Sequence, residues 1–183
     1  MNQTHQLCLI ILGCRNLKKS GENMNIQDNK LNYILVTSWI FVLVWMGVIF
    51  MFSEQNSTES SELSGGISDT VYVIVDETFP DADVSQEIIQ VTTRNVAHFF
   101  LYFVLGFLIL NALFNHNLSE MKRPLFALLL SGIYALSDEW HQYYIPGRAF
   151  ELKDLSIDLL GSILGIAVLF VLVRIKDSKK VAQ

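Results

Sequence analysis

Cysteine is nearly absent from this chain of 183 residues: Cys8 and Cys14 are the only two, and both fall in the first fifteen positions. That excludes a disulfide framework or a cysteine-ligated metal site for everything that follows. Neither an HExxH nor a GxSxG motif occurs, so the zincin helix and the nucleophile elbow are both missing. Basic residues are scarce in one long stretch. From Ser53 to Asn95, Arg94 stands alone against Glu54, Glu59, Glu62, Asp69, Asp76, Glu77, Asp81, Asp83 and Glu87. This stretch accounts for most of the net charge of −5, which therefore gives no support to a nucleic-acid partner.

Charge is missing altogether from other runs. Residues 31 to 52 (LNYILVTSWIFVLVWMGVIFMF) hold no Asp, Glu, Lys or Arg, and a helix of that length crosses a hydrocarbon core of about 30 Å. Residues 96 to 114 have only His98 as an ionisable group, and residues 125 to 145 run apolar until Ser137. Residues 155 to 173 carry Asp158 among the small residues Gly161, Ser162, Gly165 and Ala167, a spacing that lets helix backbones approach closely in lipid. The expectation is an all-α, polytopic membrane protein with four transmembrane helices in a small bundle.

Residues 7 to 14 (LCLIILGC) are too short to span a bilayer and lack the basic residues of a signal peptide. Ile11-Leu12-Gly13-Cys14 is similar to a lipoprotein cleavage box, again without upstream Lys or Arg, and Met24 offers an alternative translation start. The chain divides into a cytoplasmic N-terminal segment (1–30), a membrane domain (31–173) with an acidic extracytoplasmic loop (53–95), and a basic cytoplasmic tail (174–183). In the loop, the Ser-rich piece Ser53 to Ser68 leads into Val71-Tyr72-Val73-Ile74-Val75, which reads as a short strand or an interfacial helix. Loops this long are commonly lids or disordered.

Lys and Arg in short connections favour the cytoplasm. Arg15, Lys18, Lys19 and Lys30 precede the first span, Lys122 and Arg123 join the second to the third, and Arg174, Lys176, Lys179 and Lys180 follow the fourth. With those inside, the ionisable residues of the spans collect at the outer leaflet. Arg94 and His98 start the second span; Asp138, Glu139 and His141 finish the third; Arg148 and Asp154 lie in the outer turn; Asp158 starts the fourth. A charge at the centre of a membrane helix costs about 2.5–3.5 kcal/mol on insertion scales, so such residues face a polar interior and mark a site. Arg94 and His98, Asp138 and His141, and Asp154 and Asp158 are three or four residues apart and share helix faces. His98 and Tyr102 continue the stripe inward, and Ile145-Pro146-Gly147-Arg148 supplies a helix stop. A recessed extracytoplasmic pocket follows, with Trp140, Tyr143 and Tyr144 at headgroup depth.

These residues resemble the VanZ-like family of bacterial membrane proteins. The resemblance rests on Asp138-Glu139-Trp140-His141-Gln142, then Pro146-Gly147-Arg148, then Asp154, Asp158 and Gly161. Upstream, Trp45 to Phe52 with Ser53-Glu54-Gln55 looks like the family's first span and its polar exit. Arg94-Asn95-Val96-Ala97-His98-Phe99 is similar to the family's approach to the second span. The likeness covers Leu31 to Val173. Asn95 stands where the family has Lys, and Leu101 where many members have Glu before the tyrosine that is Tyr102 here. The founding member is associated with low-level teicoplanin resistance, so the resemblance implies a role in the cell envelope.

Three chemistries suit these residues. Arg94 and Arg148 can hold a phosphate or carboxylate of an envelope lipid or glycopeptide, because a guanidinium binds such anions bidentately. That site includes Arg94, His98, Asp138, Glu139, His141, Gln142, Arg148, Asp154 and Asp158, and its partners are membrane lipids. Alternatively, His141 or His98 is the general base of an intramembrane hydrolase or transferase, oriented by Asp138 or Glu139. In a third reading Asp138 and His141 ligate a metal. Against all three stands simple pairing of the charges to fix the bundle.

Overall fold

The computed structural model describes residues 24–54, 57–78, 85–146 and 150–181, and all its regular structure is helical. Five helices follow one another: α1 (Met24–Ser53), α2 (Ser57–Thr78), α3 (Gln86–Leu113), α4 (Lys122–Gln142) and α5 (Leu152–Val181). Three contain stretches long and apolar enough to cross a membrane: Asn32–Ser53 in α1, Gln86–Leu113 as α3, and Leu152–Ser178 in α5. The fourth expected span, α4, falls outside that class because Asp138, Glu139 and His141 occupy its last turns and Lys122 and Arg123 its first. The expectations for residues 1 to 23, including both cysteines, lie outside the described residues.

The acidic connection contains a helix. Val71 to Val75 belong to α2, which packs on α3, and Gln86 Nε2 donates to Asp69 Oδ1 at 2.6 Å between them. Of the two readings of this apolar run, a short strand or a helix, the helix holds. Helix α3 also starts ten residues before the apolar run, where the Ser85 hydroxyl accepts from the Ile88 amide at 3.4 Å. Helix α4 ends in tightened turns, with the Tyr144 and Ile145 amides donating to the His141 and Gln142 carbonyls at 3.0 Å, just before Pro146.

Side-chain contacts fix the direction of each helix. Near one end of the bundle Trp39 of α1 meets His116 beyond α3, and Arg174 of α5 meets Glu120 before α4. At the other end Ser53 of α1 meets Gln142 of α4, and Arg94 of α3 meets Asp154 at the start of α5. Helices α1, α3, α4 and α5 therefore run up, down, up and down. Parallel partners are usually diagonal in such a bundle, yet α3 and α5 form its most extensive interface.

Glycine makes that possible. A Cβ at Gly161 would collide with the Phe99 carbonyl oxygen, and one at Gly165 with the Phe103 carbonyl oxygen. Two glycines one turn apart on α5 thus seat its backbone directly on α3, as the small-residue spacing suggests. The core forms around this seam from Tyr102, Leu105, Ile109, Leu110, Ile166 and Leu169. Outward faces are apolar: Ile40, Phe41, Leu43 and Val44 of α1, Leu129 and Ile133 of α4, and Leu160, Leu164 and Val171 of α5 are all exposed. Several hydroxyls in these helices turn back onto the preceding turn, among them Ser38 to the Ile34 carbonyl at 2.8 Å and Ser131 to the Ala127 carbonyl at 2.9 Å. Their polarity is thereby satisfied within the helix.

Candidate functional site

Helices α3 and α5 carry their polar residues at a repeat of four, and because they run in parallel the repeats meet rung by rung. Arg94 Nη2 lies 2.7 Å from Asp154 Oδ2, and His98 Nδ1 lies 3.3 Å from Asp158 Oδ1. On the next turn the Ser162 hydroxyl donates to the Tyr102 carbonyl at 3.4 Å. Every rung joins residues 60 apart in sequence. With the proton on Nδ1, His98 donates to Asp158 and leaves Nε2 with a lone pair.

The last two turns of α4 close the third side. Asp138 Oδ2 accepts from the Tyr102 hydroxyl at 3.2 Å and from Gln142 Nε2 at 3.4 Å, and Ser53 also bonds this carboxylate. Gln142 Nε2 in addition donates to Ser53 Oγ at 2.9 Å, so the end of α1 belongs to the cluster. Glu139 is completely buried. One of its oxygens, Oε2, accepts from the Glu151 amide at 3.1 Å, ahead of α5. Its carboxylate lies within electrostatic reach of Asp154, Asp158 and His98.

Eight of the nine residues proposed from sequence are described, and seven of them enter one network: Arg94, His98, Asp138, Glu139, Gln142, Asp154 and Asp158. His141 stands at its edge. The imidazole stacks on Phe50 of α1 at 4.8 Å between ring centroids and 30° between planes, and no hydrogen bond joins it to Asp138. Arg148 lies outside the described residues. No group of three His, Cys, Asp or Glu side chains poised for a metal occurs among the described residues. Trp140, Tyr143 and Tyr144 are exposed, and Tyr144 meets each of the other two edge to face.

Sequence reasoning did not assign Ser53 or the Glu151 amide to the site. Ser53 is the first hydroxyl after the apolar end of α1, and that position was its one signal. A backbone amide has none. A cavity of about 270 Å³ opens at the opposite end, lined by Trp39, Leu113, His116, Leu118, Phe126 and Leu130.

Carboxylates dominate the cluster. Asp138, Glu139, Asp154 and Asp158 are all buried, while Arg94 is the one guanidinium described there and is already held by Asp154. Among the described residues, Glu139 Oε1, Asp158 Oδ2, His141 Nε2 and Arg94 Nε are covered by protein yet have no hydrogen-bond partner. Unsatisfied buried groups are costly, and their concentration in one cluster calls for a reason beyond packing.

The family model described as VanZ/LLP1 matches residues 38–174, from the middle of α1 into the last turns of α5. The chain belongs to the VanZ/LLP1 family. The match contains all the described site residues and excludes the N-terminal segment. Together with the three span-like helices it makes the chain a membrane protein of the VanZ/LLP1 family. No curated protein and no solved structure matches the chain.

Proposed function

We propose that this VanZ/LLP1 protein crosses the bacterial cytoplasmic membrane four times, through α1, α3, α4 and α5. Both termini are cytoplasmic, and the buried polar cluster binds or handles the headgroup of an envelope lipid or glycopeptide at the outer leaflet. The orientation is supported by charge: Lys122, Arg123 and Arg174 collect at the end opposite Asp138, Glu139, Asp154 and Asp158. A spanning α4 is supported by its position, since Asp138 and Glu139 turn into the bundle while Leu129, Ile133 and Leu136 face out.

The observation that carries the binding role is the set of buried groups without partners. A purely structural network closes on itself, whereas Glu139 Oε1, Asp158 Oδ2 and Arg94 Nε are covered by protein and lack a hydrogen-bond partner, a deficit that a bound polar group would make good. Teicoplanin tolerance is the phenotype suggested by the family resemblance. The test is teicoplanin and vancomycin susceptibility of a sensitive Gram-positive host expressing wild type, Asp138→Asn, His141→Ala or Arg148→Lys at matched membrane levels. Selective teicoplanin tolerance lost in the variants supports an envelope function of the cluster. Tolerance that persists in all three variants removes the cluster from that function.

The His98–Asp158 pair favours a second reading. An imidazole held by a buried carboxylate through Nδ1, with Nε2 available, is the arrangement of a general base, and an intramembrane hydrolase or transferase could use it. Turnover of an envelope lipid by purified protein, abolished in His98→Gln, distinguishes this role from binding.

A further inference from the structure

We infer that the ligand of the polar cluster is a zwitterion, a phosphodiester carrying a primary ammonium group, with Arg94 facing the phosphate and Glu139 and Asp158 the ammonium. This inference rests on the headgroup-binding reading above and names the chemistry of the headgroup.

The open valences come in two signs. On the donor side is Arg94, whose Nη2 is engaged by Asp154 but whose Nε has no partner among the described residues. Its side chain is 36 % exposed, so the guanidinium stands at the edge of the cluster where a ligand arrives. On the acceptor side are Glu139 and Asp158, both fully buried, each with one oxygen held and one open. These sets are connected: Glu139 lies within electrostatic reach of Asp158 and of Asp154, and Asp154 holds Arg94. An anion alone would satisfy Arg94 and leave two buried carboxylate oxygens facing additional negative charge. A cation alone would satisfy the carboxylates and leave the guanidinium. A zwitterion answers both, and an ammonium with N–H donors can bond two carboxylate oxygens at once, whereas a quaternary ammonium has no donor to offer.

The full-length protein, purified in mild detergent, is tested for lipid retention by native mass spectrometry. Equimolar phosphatidylethanolamine, phosphatidylcholine and phosphatidylglycerol with identical acyl chains are offered together. The expected result is retention of phosphatidylethanolamine roughly tenfold or more above either competitor, the scale of a lost charge-assisted hydrogen bond. Glu139→Gln and Asp158→Asn bring that preference close to unity. Since a substitution in the cluster can impair folding, the wild-type competition stands as a test without any variant. Equal retention of the ethanolamine and choline lipids overturns the inference, because the ammonium hydrogens are then not read. Preference for phosphatidylglycerol overturns it too, while leaving an anion-binding headgroup site in place. Retention of none of the three defeats both the inference and the reading beneath it. Addition of soluble phosphoethanolamine separates the sources: displacement of the lipid shows that the headgroup alone is recognised, and failure to displace shows that the acyl chains belong to the ligand.

Discussion

His98 of α3 points its Nδ1 at Asp158 of α5 across 3.3 Å, with 14 % of the histidine side chain and none of the aspartate exposed. One turn earlier, the Arg94–Asp154 pair is closer in distance but more open, with 36 % of the arginine side chain exposed. Burial therefore ranks the two rungs in the opposite order from distance. His98→Ala leaves a buried carboxylate without its partner, which costs about 3–5 kcal/mol when a buried pair is broken. Arg94→Gln also takes a partner from a buried carboxylate, Asp154, but the partly exposed guanidinium is screened by solvent and the loss is smaller. Denaturation of the two variants in mild detergent should show the larger loss for His98→Ala; equal losses would contradict the ranking.

Glycine positions on the α3–α5 seam should be intolerant of even one carbon. Gly165→Ala pushes a methyl into the Phe103 carbonyl, and the helices must separate to admit it. A loss of about 1–3 kcal/mol is expected from such overpacking. Gly47→Ala on α1 is the control, with nothing within 4 Å of the added carbon. There the change should be neutral or stabilising, by up to about 1 kcal/mol of helix propensity.

Tyr134 and Tyr102 are neighbouring tyrosines with different tasks. The Tyr134 hydroxyl donates to the Met46 carbonyl of α1 at 2.6 Å, outside the acidic network. Tyr134→Phe should cost about 1 kcal/mol of stability and leave ligand retention unchanged. Tyr102→Phe removes a donor from Asp138, and it should weaken retention while the protein still accumulates. Matched lipid-retention and membrane-level measurements separate the two outcomes.

Topology can be read chemically because cysteine is confined to Cys8 and Cys14. With both replaced by serine, a single cysteine at Glu54 should react with a membrane-impermeant maleimide on intact cells. One at Asn117 should react only after the cells are opened. Both positions are exposed, so access to the reagent depends on the side of the membrane. The reverse pattern would overturn the proposed orientation.

Hydropathy made the long helices legible, but it located the ends of apolar runs and not of helices. Helix α3 extends back to Gln86 because the mixed polar and aliphatic prelude before the apolar run is helical once Ser85 caps it and α2 packs beside it. Helix α2 itself was ambiguous, since five consecutive residues of Val, Tyr and Ile suit either a strand or a half-buried helix. For the site, the repeat of four that puts Arg94 with His98 and Asp154 with Asp158 was visible in the sequence. What was not visible is the offset between the two repeats. Pairing at 60 residues is set by how Gly161 and Gly165 seat on Phe99 and Phe103, a property of two helices together. The contribution of Ser53 was hidden for the same reason, because its partner Gln142 is 89 residues away.

Helix α1 is attached in a way that limits where it can sit. Most of its surface faces outward, and in lipid an apolar surface does not distinguish one neighbour from another. Directional bonds hold it instead: Trp39 to His116 and Trp45 to the Leu101 carbonyl, both at 2.9 Å, with Met46 and Ser53 receiving Tyr134 and Gln142. These contacts are spread over four turns of one helix, like the teeth of a key. Sliding α1 by a single turn would break them all together, so this helix has one stable depth, and Ser53 arrives at Asp138 only when the tryptophans are home.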